Sequence, residues 1–389
     1  MLDERIINKL VERLVDRIEQ GNTYVLEQIG KSIKKIGTLN PTNAYQLAQI
    51  LKYGGNFDKI TSKLAEITEL NIKDIYKIFE EVAKKNSLFA KKFYDYKGIK
   101  YIPYEENIAL QRKVRALATI TANEYINTSK TLAFARKDIY GKTSYTLLSN
   151  MYQDVIDKAV VNISMGKTTF DKEMSKIIKE LGQSGIRTVD YASGYSKRLD
   201  SAVRMNLKGA LRDMSNTIQE QFGKEYGANG IEISVHLHPA PDHQDIQGKQ
   251  FSKEKFELLN SELKRPIGQL NCYHYIFPIV LGVSEPEYTQ EQLDKINSDN
   301  SKGFIYEDKH YTLYQGTQLQ RKLETEIRKQ KDIQIIGKAS GNKEAVEKAQ
   351  SEITKLTRKY KEISQISGLP TKLERARVQG YRRINVNKM

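Results

Sequence analysis

The chain holds one cysteine and no tryptophan in 389 residues. A single thiol cannot close an internal disulfide, so the fold does not depend on oxidation, which fits folding in a reducing cytoplasm. Long apolar runs are also missing. The longest, roughly Tyr275–Val283, is broken by Pro278 and falls far short of the ~20 residues a membrane helix needs. No secretory leader is expected, because Asp3 and Glu4 come before the first apolar pair, Ile6 and Ile7. Gly54 and Gly55 lack the following Lys-Ser/Thr of a phosphate loop. Cys-x-x-Cys knuckles and His-Glu-x-x-His helices are absent too.

Proline is scarce and uneven. Five of the eight prolines lie in 239–286, and none lies between Pro103 and Pro239. A long proline-free stretch permits long helices, since proline costs about 3 kcal/mol inside one. The patterns agree. Leu2, Ile6, Leu10, Leu14 and Ile18, with Ile7, Val11 and Val15, form a three-four stripe. Asn71 is expected to cap a helix burying Ile72, Ile75, Phe79 and Val82. Thr168 or Thr169 is expected to cap another carrying Phe170, Met174, Ile177 and Leu181, which stops near Gly182 and Gly185. Segments near 105–137, 143–165 and 200–222 also read as helix. Residues 1–225 therefore read as mostly helical, as two bundles meeting near 86–104.

The texture changes at 227–230. Ile231, Ile233, Val235 and Leu237 alternate with Glu232, Ser234, His236 and His238, the period-two signature of a half-buried strand. Cys272–Val280 reads as a second extended segment and Phe304–Thr312 as a hairpin. After Gln315 helix returns: Leu319, Leu323 and Ile327 repeat every four residues. A break is expected over Gly337–Gly341, and then Ile353, Leu356, Tyr360, Ile363 and Ile366 run to Gly368. The expected fold is α+β and predominantly helical. Its organisation reads as a helical N-terminal region (1–100), a long-helix region (101–225), a compact α+β module rich in His and Cys (226–316) and a basic helical tail (317–389).

Hydrophobic residues make up 39% and charged residues 29%, a soluble composition, with a net charge of +15. Residues 301–389 hold 20 Lys/Arg against 10 Asp/Glu, so +10 of the excess sits in the last quarter. Arg321, Lys322, Arg328, Lys329, Arg358, Lys359, Arg375, Arg377, Arg382 and Arg383 are the candidates for contact with double-stranded DNA or an acidic partner. A solvated helix face explains the same charges. The 23 tyrosines fit half-buried helix positions more simply than stacking platforms, and Glu80 and Glu81 read as a solvated pair.

Four of the five histidines and the only cysteine fall within 236–274. On a strand, His236 and His238 share one face, as Cys272 and His274 do on the second segment. Two adjacent strands then offer two pairs of ligands, with His243 as a fifth, and nitrogen and thiolate donors in a tetrahedral set suit zinc. A metal-dependent nuclease is the enzymatic version, with Asp242 or Asp245 as added ligands and a histidine activating water. The competing reading has these histidines bracing loops through hydrogen bonds, with Cys272 packed as a small apolar residue. Cys272 as a nucleophile with His274 is disfavoured, since side chains two apart on a strand seldom reach hydrogen-bond distance.

The run Ile231 to His236, then Pro239-Ala240-Pro241-Asp242-His243 and Gln247-Gly248-Lys249, resembles a known family. So do Ile267-Gly268, Asn271-Cys272-Tyr273-His274, Pro278, Gly282 and Pro286 with Tyr288, and the later Tyr311–Arg321. The family is phage minor capsid protein 2, related to the Mu F-like minor head proteins of tailed bacteriophages. The resemblance covers most of the chain and is most specific over 234–288, where Ser234, His236, Pro241, His243, Gln247, Gly248, Gly268, Asn271, Cys272, His274, Pro278 and Gly282 carry it. Ala240 and Ile246 stand where relatives often have a basic and an aromatic residue. The resemblance implies a structural, non-enzymatic head component, made in the host bacterial cytoplasm and present in few copies near the portal of the virion. Portal, capsid and scaffold proteins are the implied partners, and head assembly with DNA packaging or ejection the implied role. No membrane, small-molecule substrate or cofactor is expected beyond a structural zinc. A zinc-bound, nuclease-like DNA-processing enzyme is the alternative.

Overall fold

The computed structural model describes residues 4–37, 56–137, 143–148, 150, 170–189, 196–268, 272 and 274–384. Gly54, Gly55, Thr168, Thr169, Asn271 and most of 143–165 lie outside them. The described residues form nine α-helices and three small antiparallel sheets, a predominantly helical α+β fold as expected. None of these helices is long and apolar enough to cross a membrane.

The chain divides into two compact units, each assembled from three separated stretches. The first takes its described residues from Met1–Arg13, Ile72–Tyr125 and Val203–Gln318, the second from Leu14–Asn71, Ile126–Ala202 and Leu319–Met389. The 226–316 stretch lies wholly within the first unit.

In the second unit, α1 (Glu4–Gly37) supplies the expected stripe, with Leu14, Val15 and Ile18 continuing into buried Val25, Leu26, Ile29 and Ile33. Asn71 is not a cap. It lies inside α2 (Asn56–Lys97), fully buried, where its amide donates to the Leu14 carbonyl (3.4 Å) and accepts from Arg17 (3.1 Å). A polar side chain placed there can bond a neighbouring helix instead of its own terminus. Following α3 (Ile108–Lys130), two expected helical stretches are strands: β1 (Leu132–Lys137) and β2 (Thr143–Leu147), paired with Ala133 opposite Leu147 and Ala135 opposite Tyr145. Leu132, Ala133 and Phe134 are all buried, so β1 is covered on both faces and shows no alternation to betray it. Helix α4 (Phe170–Ser184) ends at Gly185, and β3 (Arg187–Val189) and β4 (Ser196–Arg198) complete a four-stranded sheet in the order β2-β1-β3-β4.

Helix α5 (Leu199–Glu225) begins at the end of β4. Late in the chain, α8 (Leu313–Ser340) and α9 (Lys343–Ser367) form the expected pair of consecutive helices, but the break comes at Gly341, and Gly337 stays helical. Asn342 caps α9 by accepting from the Ala345 amide, and Gly368 ends it in the left-handed region. Residues 332–337 of α8 are buried without interruption, so this stretch of the helix is enclosed on every side. Its neighbours come close: a Cβ on Gly30 of α1 would stand 2.6 Å from Ala339, and one on Gly182 of α4 would stand 2.7 Å from the Ile333 amide nitrogen. Four buried charges cross this core. Arg198 donates to Asp332 (2.8 Å) and Asp200 (3.3 Å), and Arg328 pairs with the other Asp200 oxygen. Lys331 donates to the Ala376 carbonyl (2.6 Å) and lies 4.7 Å from the Tyr381 ring, and burial lowers its pKa to about 8.

In the first unit, α2 runs unbroken to Lys97, so the expected division near 86–104 reduces to the 98–107 connection. Asn86 of α2 donates to Ser215 of α5 (2.9 Å), and Phe93 stacks on Tyr226. A three-stranded sheet in the order β6-β5-β7 follows, from β5 (Gly230–Ile233), β6 (Gln250–Ser252) and β7 (Ile276–Ile279). Pro278 is tolerated in β7 because that strand is at the sheet's edge. Helices α6 (Lys253–Glu262) and α7 (Gln290–Lys302) start at Ser252 and at a Thr289–Gln292 capping box. The expected hairpin forms as β8 (Phe304–Tyr306) and β9 (Lys309–Tyr311), turning through Glu307 and Asp308, both at positive φ.

Candidate metal centre

Strand β5 stops at Ile233, well short of the histidines expected on it. The reason lies in side chains that take over the ladder. The Ser234 amide still donates to the Tyr275 carbonyl (3.0 Å), but the Tyr275 amide donates to the Ser234 hydroxyl (2.9 Å), and the His236 amide donates to Gln247 Oε1 (2.8 Å). His236 and His238 thus sit in irregular chain, not side by side on a strand face.

The loop then folds back on itself. His243 donates its amide to the Ala240 carbonyl (2.9 Å), and its own carbonyl accepts from Gln247 (3.1 Å). Gly248, at φ +70°, returns its amide to the Ile233 carbonyl (2.8 Å), and a Cβ there would meet Leu293 at 2.5 Å. Ala240 is buried and Ile246 packs on a small core of Ile233, Phe251, Phe256 and Ile267. Both positions therefore face the interior, where a basic residue would lack solvent. Pro241 is exposed.

From the other side, the chain carrying Cys272 and His274 precedes β7. Arg212 of α5, itself buried, clamps it by donating to the Gly268 carbonyl (2.7 Å) and to the Cys272 carbonyl. Arg212 was not singled out from sequence, since a lone arginine on a helix reads as solvated. Gly268 and Gly282 take positive φ at the bends flanking this segment.

These loops bring together His243, Cys272 and His274, with one ligand atom from each lying within 4.8 Å of the others. Cys272 Sγ is 3.5 Å from His274 Nδ1, so the pair two apart does meet, because neither residue is on a strand. His243 Nε2 bonds the Arg265 carbonyl (2.6 Å), and His274 Nε2 bonds Gln247 Oε1 (3.2 Å). The His236 ring stands edge-to-face 4.5 Å from that of His274. His238 is outside the ligand group, as are Asp242, whose carboxylate is held by Arg265 (2.7 Å), and Asp245, which is exposed.

Burial, with His236 and His243 close by, pushes His274 down to about 2, so its ring stays neutral and keeps a lone pair. Burial is the largest influence on His243 and Cys272 and opposes charge on both. Their mutual hydrogen bond and charge attraction, added to backbone hydrogen bonds at Arg265, Gly268 and His274, together outweigh it, raising the histidine and lowering the thiol. The arrangement presents one thiol disposed to ionise and two imidazoles, which is chemistry for gripping a soft or borderline cation.

The basic C-terminal residues divide. Lys322, Arg358, Arg377, Arg382 and Arg383 are exposed, while Arg321, Lys359 and Arg375 are half-buried. Lys329 pairs with Glu326 (2.7 Å), and Arg328 turns inward to Asp200. Arg328 is thus a core residue of the second unit, because the face of α8 that carries it turns inward to Asp200. The segment after α9 also packs down: Leu369, Ala376 and Val378 are buried, and the Gln379 carbonyl accepts from Thr23 (2.6 Å).

Compared with known proteins, the chain matches the profile of the family described as phage minor capsid protein 2 over residues 2–363. No curated protein and no solved structure matches it significantly.

Proposed function

The chain belongs to the phage minor capsid protein 2 family, and on that premise we propose that it acts at the portal vertex of a tailed-phage head. Family membership supports a structural role in the virion. The finer reading is a component of few copies that contacts portal and shell or scaffold proteins and serves head assembly and DNA packaging or ejection. The observation that carries it is the extent of the match, which includes most of the described residues of both compact units. In this reading the two units are scaffolding, and exposed Arg377, Arg382 and Arg383 face DNA or the portal.

Quantitative mass spectrometry of purified virions, with cross-linking, tests the placement. The expected result is a copy number near that of the portal ring, far below the shell protein, with cross-links to portal. Shell-like abundance, or absence from the particle, would sink it. For the DNA contact, the triple charge reversal of Arg377, Arg382 and Arg383 to Glu should weaken binding and flatten its salt dependence, each lost phosphate contact removing about 0.9 from the logarithmic slope. An unchanged slope would assign those arginines to a protein partner or to solvent.

A further inference from the structure

We propose that His243, Cys272 and His274 bind one zinc ion, which ties together the two irregular loops of the 234–288 module. Three observations converge. The first is distance. Tetrahedral zinc with Zn–S near 2.3 Å and Zn–N near 2.05 Å places sulfur and nitrogen about 3.6 Å apart, and Cys272 Sγ lies 3.5 Å from His274 Nδ1. The His243 donor needs a shift of up to roughly 1.5 Å, since all three ligand atoms already lie within 4.8 Å and tetrahedral zinc sets its nitrogens about 3.3 Å apart.

The second is the outer layer. A metal-bound imidazole donates its other ring N–H to a carbonyl or carboxylate, which orients the ring. Here His243 Nε2 faces the Arg265 carbonyl and His274 Nε2 faces Gln247 Oε1. With those N–H groups engaged, both Nδ1 atoms carry the lone pair. Gln247 is held in turn by the His236 amide (2.8 Å), and the Cys272 backbone by Arg212. The donor set is therefore oriented before any ion arrives.

The third is need. The module's hydrophobic core has four buried members, Ile233, Phe251, Phe256 and Ile267, with a shell of only partly buried side chains that includes Cys272 itself. Small cores of this kind are commonly completed by a metal or a disulfide, and one cysteine excludes the disulfide. On binding, the thiol proton leaves to solvent and the thiolate takes its place on the metal. His236 is the nearest further imidazole for the fourth position, with water as the other occupant.

The test uses the full-length protein, purified, stripped with a chelator and offered one equivalent of zinc or cobalt(II). The expected results are one zinc per chain by plasma mass spectrometry and, with cobalt, a thiolate-to-metal charge-transfer band with the intense visible absorption of a tetrahedral site. The band should vanish in Cys272→Ser. Binding should weaken at least 10-fold in His243→Ala and His274→Ala and persist in His238→Ala. Zinc should also shield Cys272 from a thiol-reactive dye. Folded wild-type protein that shows no cobalt band and unchanged thiol reactivity overturns the proposal. Because that arm needs no variant, misfolding of the substituted proteins leaves the test decisive.

Discussion

Replacing Asp332 with leucine should destabilise the second unit by about 3–5 kcal/mol, and a second substitution should restore most of that loss. Asp332 is fully buried, and Arg198, 7% exposed, donates to it at 2.8 Å. Opposite unit charges about 4 Å apart attract by about 4 kcal/mol at an effective dielectric near 20. Burial raises the Asp332 pKa, so desolvation already offsets part of this gain. Leucine at 332 would leave the Arg198 and Arg328 guanidiniums sharing Asp200 alone, an uncompensated buried charge. The Asp332→Leu/Arg198→Met protein keeps the neutral Arg328–Asp200 pair and should fall within about 1 kcal/mol of wild type. A double-mutant cycle by urea unfolding, followed by circular dichroism, reads the coupling directly. Additive costs, or a single-variant cost under about 1 kcal/mol, would refute the view that this network is a closed, mutually dependent set.

Other outcomes follow from local geometry. Gly303→Ala should cost the first unit about 2–4 kcal/mol, because its Cβ would stand 1.9 Å from the Tyr311 carbonyl oxygen at φ +52°; an unchanged melting temperature would count against the hairpin's placement. Glu307 and Asp308 hold positive φ in a two-residue turn. Asn-Gly there should add about 1 kcal/mol, seen as slower hydrogen exchange in the hairpin. Lys331 falls from 10.5 unfolded to about 8 folded. Between those pH values the unfolded chain binds more protons, so stability should climb as pH rises through the window, by at most about 3 kcal/mol. Lys331→Met should remove that climb; if it persists, another group causes it.

Helices with one apolar stripe were readable from sequence, as α1 and α9 show, and so was the 304–312 hairpin. Strand β1 was not, because burial on both faces erases the period-two signal. Arg328 misled, and Arg212 gave no signal, for a related reason: composition treats arginine as surface, and only a partner distant in sequence, Asp200 or the Cys272 carbonyl, brings it inside. Clustering of His243, Cys272 and His274 was legible as scarcity, yet the device that joins them was not. It works through hydrogen-bonded loops held by Arg212 and Gln247, where alternation on paired strands was expected. Nor is the division into two units legible in the sequence, since no local pattern marks which of three distant stretches will meet.

The close approach at Gly30, where α1 meets Ile336 and Ala339 of α8, sets a timetable. At about 5–20 residues per second, roughly 15–60 s of synthesis separate these two surfaces. Throughout that interval the face of α1 around Gly30 lacks its α8 partner, while α2, made soon after, already covers the part around Gly21, where Leu64 and Ile67 come close. The second unit exists only once α8 and the segment that covers it have been made. A late stop codon therefore does not trim a tail. It removes the core helix or its cover, and with it the fold of the second unit.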